Sequence, residues 1–262
     1  MHAFTLTLPA GTLPAGTLAP GTLDCAWWGP PPAERPTLVL LHEGLGCIAL
    51  WRDLPAQLAA RTGCGVFAYS RFGYGASSPC ALPRPLDYMR IEATEILPAV
   101  LNAAGITRAI LIGHSDGASI AAIHAGAVRD PRIAGAVLIA PHYFVEPSAL
   151  VAIAAARTAY ATGDLRPKLA RYHTHVEAAF RGWCDAWLDP DFRRFNLTAD
   201  LAGVTVPVLQ LQGTQDPYGT TAQTDCLAQA ETVLLPVRHA PHLEAAQESL
   251  AAMAGFVRKV FG

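Results

Sequence analysis

A chain of 262 residues suits one α/β domain with room for an insertion, and it is long enough to bury a substantial core. Hydrophobic residues make up 52 % and charged residues 15 %, and the formal net charge is -2, so the surface offers no basic stripe for nucleic acid or an anionic membrane. No run reaches membrane-spanning length without polar interruption, and the N-terminus lacks the basic region and apolar core of a signal peptide.

The six cysteines, Cys25, Cys47, Cys64, Cys80, Cys184 and Cys226, are scattered without metal-ligand spacing. They read as free thiols of a reducing compartment, so a cytoplasmic location is expected. Residues 1–24 carry a short near-repeat of Pro, Ala, Gly, Thr and Leu. Hairpin edge strands are expected over Phe4–Leu8 and Thr22–Trp28, with a Pro/Gly turn between them. Thr37–Leu41 follows as a fully apolar strand, the pattern of a parallel sheet covered on both faces.

The spacing of Leu50, Leu54 and Leu58 predicts a helix over Ala49–Arg61. Cys64–Ser70 is the next strand, and Arg71–Pro79 a glycine-rich loop. Gly73 and Gly75 in that loop lack the spacing of a dinucleotide fingerprint. A helix over Asp87–Ala104, a strand over Thr107–Gly113, a helix over Asp116–Ala127 and a strand over Ile133–Ala140 continue the alternation. This rhythm predicts a predominantly parallel sheet flanked by helices.

The rhythm breaks after His142. Residues 142–202 read as an inserted helical cap, with helices over Pro147–Thr162 and Leu165–Leu188. The core then comprises residues 1–141 and 203–262. It resumes with a strand over Val206–Gln212, a helix near Thr221–Gln229, a strand over Thr232–Leu235 and a last helix over Leu243–Val260.

Three positions point to chemistry. Gly113-His114-Ser115-Asp116-Gly117 lies between an apolar strand and a small-residue helix, the setting of a nucleophile on a tight turn. Gly113 and Gly117 would remove the Cβ atoms that otherwise collide where strand and helix converge. Asp216 follows one later strand, and His239 the next. Nucleophile, acid and base thus occur in the order Ser, Asp, His, each at the same edge of a parallel sheet. A serine hydroxyl needs a base to become nucleophilic, an imidazole serves near neutral pH, and a carboxylate fixes its tautomer. Taken singly, Asp216 also fits a turn-capping role before Pro217, and His242 competes with His239 as the base.

With these residues the chain resembles the α/β-hydrolase superfamily over nearly its whole length. Further carriers of the resemblance are His42-Glu43-Gly44-Leu45-Gly46, the loop Ser70–Ser77, Gly213-x-x-Asp216 and the block His239–Glu244. The last block resembles a His-x-x-x-x-Glu pattern whose first histidine is catalytic, which favours His239 over His242. The resemblance implies an oxyanion hole made of the Asp116 amide and the Gly44 amide, with Leu45 as the alternative to Gly44. It implies no cofactor.

Glu43 departs from the family's usual His-Gly. It is expected to pair with a base such as Arg71 and brace the loop, rather than act in the chemistry. His114 is expected to pack under the elbow. His173 and His175 lie two apart on the predicted helix and face apart, so no metal is assigned. Leu45, His142, Tyr143, Trp183, Trp187 and Tyr218 are candidates for an apolar pocket.

The function expected from the resemblance is hydrolysis of small or medium carboxylic esters through an acyl-enzyme, with a small apolar or aromatic acyl substrate. The same core serves thioesters, lactones or the C–C bond of a dienoic ring-cleavage product, and caps are not legible to substrate. Dehalogenases and epoxide hydrolases of this fold carry an aspartate where Ser115 stands. A non-catalytic small-molecule binder would need no ordered serine, aspartate and histidine. The sequence specifies no oligomeric state.

Overall fold

A computed structural model of the protein describes residues 1–8 and 21–262. Eight strands form one sheet: β1 (His2–Leu8), β2 (Gly21–Trp28), β3 (Thr37–Leu41), β4 (Gly65–Tyr69), β5 (Ala109–His114), β6 (Ile133–Ile139), β7 (Val208–Gly213) and β8 (Glu231–Leu235). Their spatial order is β1-β2-β4-β3-β5-β6-β7-β8. The β1–β2 and β2–β4 pairs are antiparallel, and every later pair is parallel. The turn expected between the first two strands falls on residues 9–20, outside the described residues.

The interior strands are buried on both faces, which is why they read as unbroken apolar runs. Period-two alternation still divides their side chains. Ile110 and Ile112 of β5 join one cluster, and Ala109 and Leu111 the other. Helices α1 (Leu54–Thr62), α2 (Tyr88–Ile91), α3 (Leu97–Ala103) and α4 (Asp116–Ile123) follow the first strands. Helices α5 (Pro147–Thr162), α6 (Leu165–Leu169), α7 (Val176–Leu188) and α8 (Thr198–Leu201) lie between β6 and β7 as the inserted helical cap. The short α9 (Ala222–Asp225), α10 (Pro241–Glu244) and the long α11 (Ala246–Phe261) complete the chain. Leu54 and Leu58 of α1 cover one face of the sheet with Met253 and Phe256 of α11. Residues of α3 and α4 cover the other. Each fully buried leucine at these faces is worth about 1.5–3 kcal/mol over an exposed one.

Several helices differ from the sequence expectation. The stretch over Ala49–Arg61 is a 3₁₀ turn, Ile48–Trp51, followed by α1. Arg52 breaks it with a φ of 52°, and Pro55 then stands at the start of α1, where its missing N–H costs nothing. The predicted helix over Asp87–Ala104 carries a π-helical segment at Glu92–Ile96 between α2 and α3. The predicted helix over Leu165–Leu188 is two helices, so His173 lies in the connection and not on a helix. There the Thr174 N–H donates to the Gly75 carbonyl (2.9 Å). The His173 ring accepts from the Gly75 N–H and donates to the Leu45 carbonyl, both at 3.0 Å. These bonds from the glycine-rich loop compete with continuing the helix. No helix among the described residues is long and apolar enough to cross a membrane.

Candidate active site

Strand β5 ends at His114, α4 begins at Asp116, and Ser115 between them has φ 53° and ψ -117°. A non-glycine residue with positive φ is held there only by its surroundings. The Ser115 N–H donates to the Ile139 carbonyl at 2.8 Å, which ties the turn to β6. A Cβ on Gly113 would lie 2.2 Å from the Gly117 carbonyl oxygen, and one on Gly117 only 1.9 Å from that of Leu41. Both glycines are therefore required by backbone contact, as the sequence pattern predicts.

Asp216 sits in the turn after β7. Its Oδ1 accepts from the Tyr218 N–H (2.8 Å), and its Oδ2 accepts from His239 Nδ1 (2.7 Å) and Gln212 Nε2 (3.0 Å). A carboxylate only accepts, so Nδ1 of His239 is the donor in this contact, and the neutral ring held this way presents Nε2 as its acceptor. Burial raises the Asp216 pKa, but the hydrogen bond and charge of His239, with the Tyr218 N–H, outweigh it and hold the carboxyl below its ordinary value. His242 is placed differently: it is buried in α10 with its ring against Trp51 (5.2 Å) and His114 (4.6 Å). Asp216 thus pairs with His239.

Ser115 and His239 line one cavity of about 100 Å³ at the carboxyl edge of the sheet, together with Gly44 and Asp116. Of the candidate pocket residues, Leu45, His142, Trp183, Trp187 and Tyr218 line it. Tyr143 does not. Its hydroxyl donates to Gln210 Oε1 on β7 at 2.8 Å, so it belongs to the core beside its neighbour's pocket. Ala149 and Ile153 of α5 also line the cavity. Their i,i+4 spacing marks one helix face, but an alanine-rich helix gives no sequence signal of what that face meets. Gly44 is confined by the cap, since a Cβ there would lie 2.3 Å from the Trp183 indole.

The charges around the elbow differ from expectation. Glu43 does not pair with Arg71. Its Oε2 lies 3.4 Å from His114 Nδ1, and Arg71 instead donates from Nη2 to the Glu43 backbone carbonyl at 3.0 Å. The buried arginine turns to the fully buried carboxylate of Asp116, where an unpaired charge would cost more than at partly exposed Glu43. Burial raises the Glu43 pKa, but contact with His114 overcomes it and holds the carboxyl well below the usual range. His114 does pack under the elbow, and its Nε2 donates to the His239 carbonyl (2.9 Å). Asp116 is fully buried and accepts from the Tyr88 hydroxyl (2.5 Å) and Trp187 Nε1 (3.3 Å). Sequence reasoning missed Tyr88. His142 is buried beside His239 and Trp187, and burial lowers its pKa to about 3. Among the described residues no group of three His, Cys, Asp or Glu side chains is arranged to hold a metal ion.

Residues 38–253 match the model of a family described as "Alpha/beta hydrolase family". A search of curated proteins finds no match. Among solved structures, a hydrolase from Pseudomonas aeruginosa PA01 is 23% identical, with a TM-score of 0.71 over 95% of this chain and 99% of that one. The enol-lactonase from Burkholderia xenovorans LB400 is 22% identical, with a TM-score of 0.72 over 93% and 98%. The 2-hydroxy-6-oxo-6-phenylhexa-2,4-dienoate hydrolase from Rhodococcus sp. strain RHA1 is 18% identical, with a TM-score of 0.72 over 97% and 98%. At these identities the likeness is one of fold.

Proposed function

Because the chain belongs to the alpha/beta hydrolase family, we propose that it is a serine hydrolase of small, uncharged carboxylic esters. The observation that carries this reading is the Asp216–His239 hydrogen bond (2.7 Å) at the cavity that also holds Ser115. In this reading His239 Nε2 takes the Ser115 proton as the hydroxyl attacks the ester carbonyl. Asp216 supports the imidazolium, and His239 returns the proton to the leaving alcohol. The Asp116 amide opens α4, so it has no acceptor within the helix and is free to bind the developing oxyanion with the Gly44 amide. Water then releases the acid by the same steps in reverse.

The test is covalent labelling. A fluorophosphonate is expected to add to Ser115 and abolish ester hydrolysis, with the adduct located by mass spectrometry of peptides. An adduct on another serine, or full activity of S115A, would overturn the assignment.

The lining also bears on the acyl group. Leu45, Ala149, Ile153 and the two tryptophans supply apolar surface, while the acidic side chains are Glu43 and Asp116 and no lysine or arginine lines the cavity. A carboxylate on the acyl chain would meet like charge without a cation to hold it. This favours neutral esters over a dienoate, whose carboxylate would need such a partner. A p-nitrophenyl butyrate ester is expected to exceed the corresponding succinate monoester by at least about tenfold in kcat/KM, a difference of about 1.4 kcal/mol. Equal values at pH 7.5 would count against an uncharged substrate.

A further inference from the structure

Arg71 follows β4 and is fully buried, an expensive place for a guanidinium. It does not earn that place by saturating its donors, since Nε and Nη1 have no hydrogen-bond partner. Its Nη2 donates to the Glu43 carbonyl at 3.0 Å and lies 3.9 Å from Asp116 Oδ2. Arg71 therefore contacts the peptide unit that carries the Gly44 amide and the side chain of Asp116, whose own amide is the other donor in the reading above.

The two contacts have different consequences. The Glu43 carbonyl belongs to the peptide unit whose N–H is that of Gly44. In a trans peptide the N–H points opposite to the carbonyl, so holding one aims the other. The same carbonyl accepts from His42 Nδ1 at 2.7 Å, and His42 Nε2 accepts from the Arg71 N–H at 3.0 Å. Arg71 thus anchors this peptide through its side chain and, by way of His42, through its backbone. At the other donor, the Asp116 carboxylate stands beside the nucleophile, where its charge opposes a forming oxyanion. The Arg71 charge offsets it, and Tyr88 and Trp187 hold the carboxylate away by hydrogen bonds.

We propose that Arg71 is the positioning residue of the oxyanion hole, aiming the Gly44 amide through the Glu43 carbonyl and cancelling the Asp116 charge; this rests on the serine-hydrolase reading. A residue that only stabilised the fold would change melting temperature and leave transition-state binding intact.

The experiment compares wild type, R71M and R71M/D116N by steady-state hydrolysis of p-nitrophenyl butyrate. Inhibition by butylboronic acid, which becomes a tetrahedral anion on the serine, and thermal melts by circular dichroism accompany it. R71M is expected to lose about a hundredfold in kcat, comparable to losing one oxyanion donor, with KM within about threefold. Its boronate affinity falls in parallel. R71M/D116N recovers part of the loss, to about tenfold below wild type, because the charge is balanced again while the peptide stays unanchored. If R71M does not fold, the charge-balanced double variant decides: a tenfold loss with weakened boronate binding supports the proposal, and kcat within threefold of wild type overturns it. A folded R71M with unimpaired kcat and boronate affinity overturns it alone. A wild type that turns over no ester and takes no fluorophosphonate overturns both it and the serine-hydrolase reading.

Discussion

Replacing His239 by alanine is expected to lower turnover by about three or more orders of magnitude, while replacing His242 leaves most of it. The two histidines stand three residues apart and both follow β8, yet their surroundings assign them different work. Asp216 Oδ2 accepts from His239 Nδ1 and no comparable carboxylate contact reaches His242 among the described residues. Proton transfer from Ser115 needs a base whose second nitrogen is held by an acceptor, because only then is the remaining nitrogen unprotonated and aimed. The His239 ring is packed between Tyr218 (centroids 4.6 Å apart) and His114 (5.1 Å), which limits its rotation. His242 instead fills space between Trp51 and His114, so H242A is expected to lower stability by about 1–3 kcal/mol through lost packing. Steady-state kinetics on both variants, with circular dichroism to establish folding, checks the assignment. A dead H242A beside a live H239A would reverse it.

Acid is expected to destabilise the protein steeply below pH 6.5. His42, His142, His173 and His242 are all buried, and burial lowers the pKa of each, that of His142 to about 3. Hydrogen bonding agrees for two of them. His42 and His173 each accept a backbone N–H on one nitrogen while donating to a carbonyl from the other, so a second ring proton would face a donor. With folded values below unfolded ones, the unfolded chain binds more protons as pH falls through about 6.5. Stability is therefore complete above that pH and is lost below it. Buried Asp116 and Glu92 work the other way, because burial raises their pKa values and folding then favours their protonated forms. A ring that stays neutral in the folded protein costs about 1.4 kcal/mol per pH unit below its unfolded value, as His142 does throughout this range with its pKa lowered to about 3, and buried His124 adds to the same side. Melting temperature is expected to drop by about 10 °C between pH 7 and pH 5. A melting temperature constant to within about 2 °C over that interval would show that the rings are protonated in the folded state.

The amino-acid sequence by itself determined the parts of this protein whose physics is local. Continuous apolar runs specify strands covered on both faces, as in β3 and β5, because such a run has no side to expose. Gly113 and Gly117 mark the elbow because backbone contact there leaves no room for a Cβ. The order of Ser115, Asp216 and His239 follows from strand ends sharing one sheet edge, which alternation alone implies. Contacts between distant segments were decided only by tertiary structure. His142 and Tyr143 are adjacent, yet one lines the cavity and the other bonds Gln210, because their neighbours on the sheet and cap differ. The helix predicted over Leu165–Leu188 breaks where His173 bonds Gly75, 98 residues away, and no local pattern carries that competitor. Glu43 meets His114 and Arg71 meets Asp116, since the charge that a buried carboxylate finds depends on which loops packing brings together.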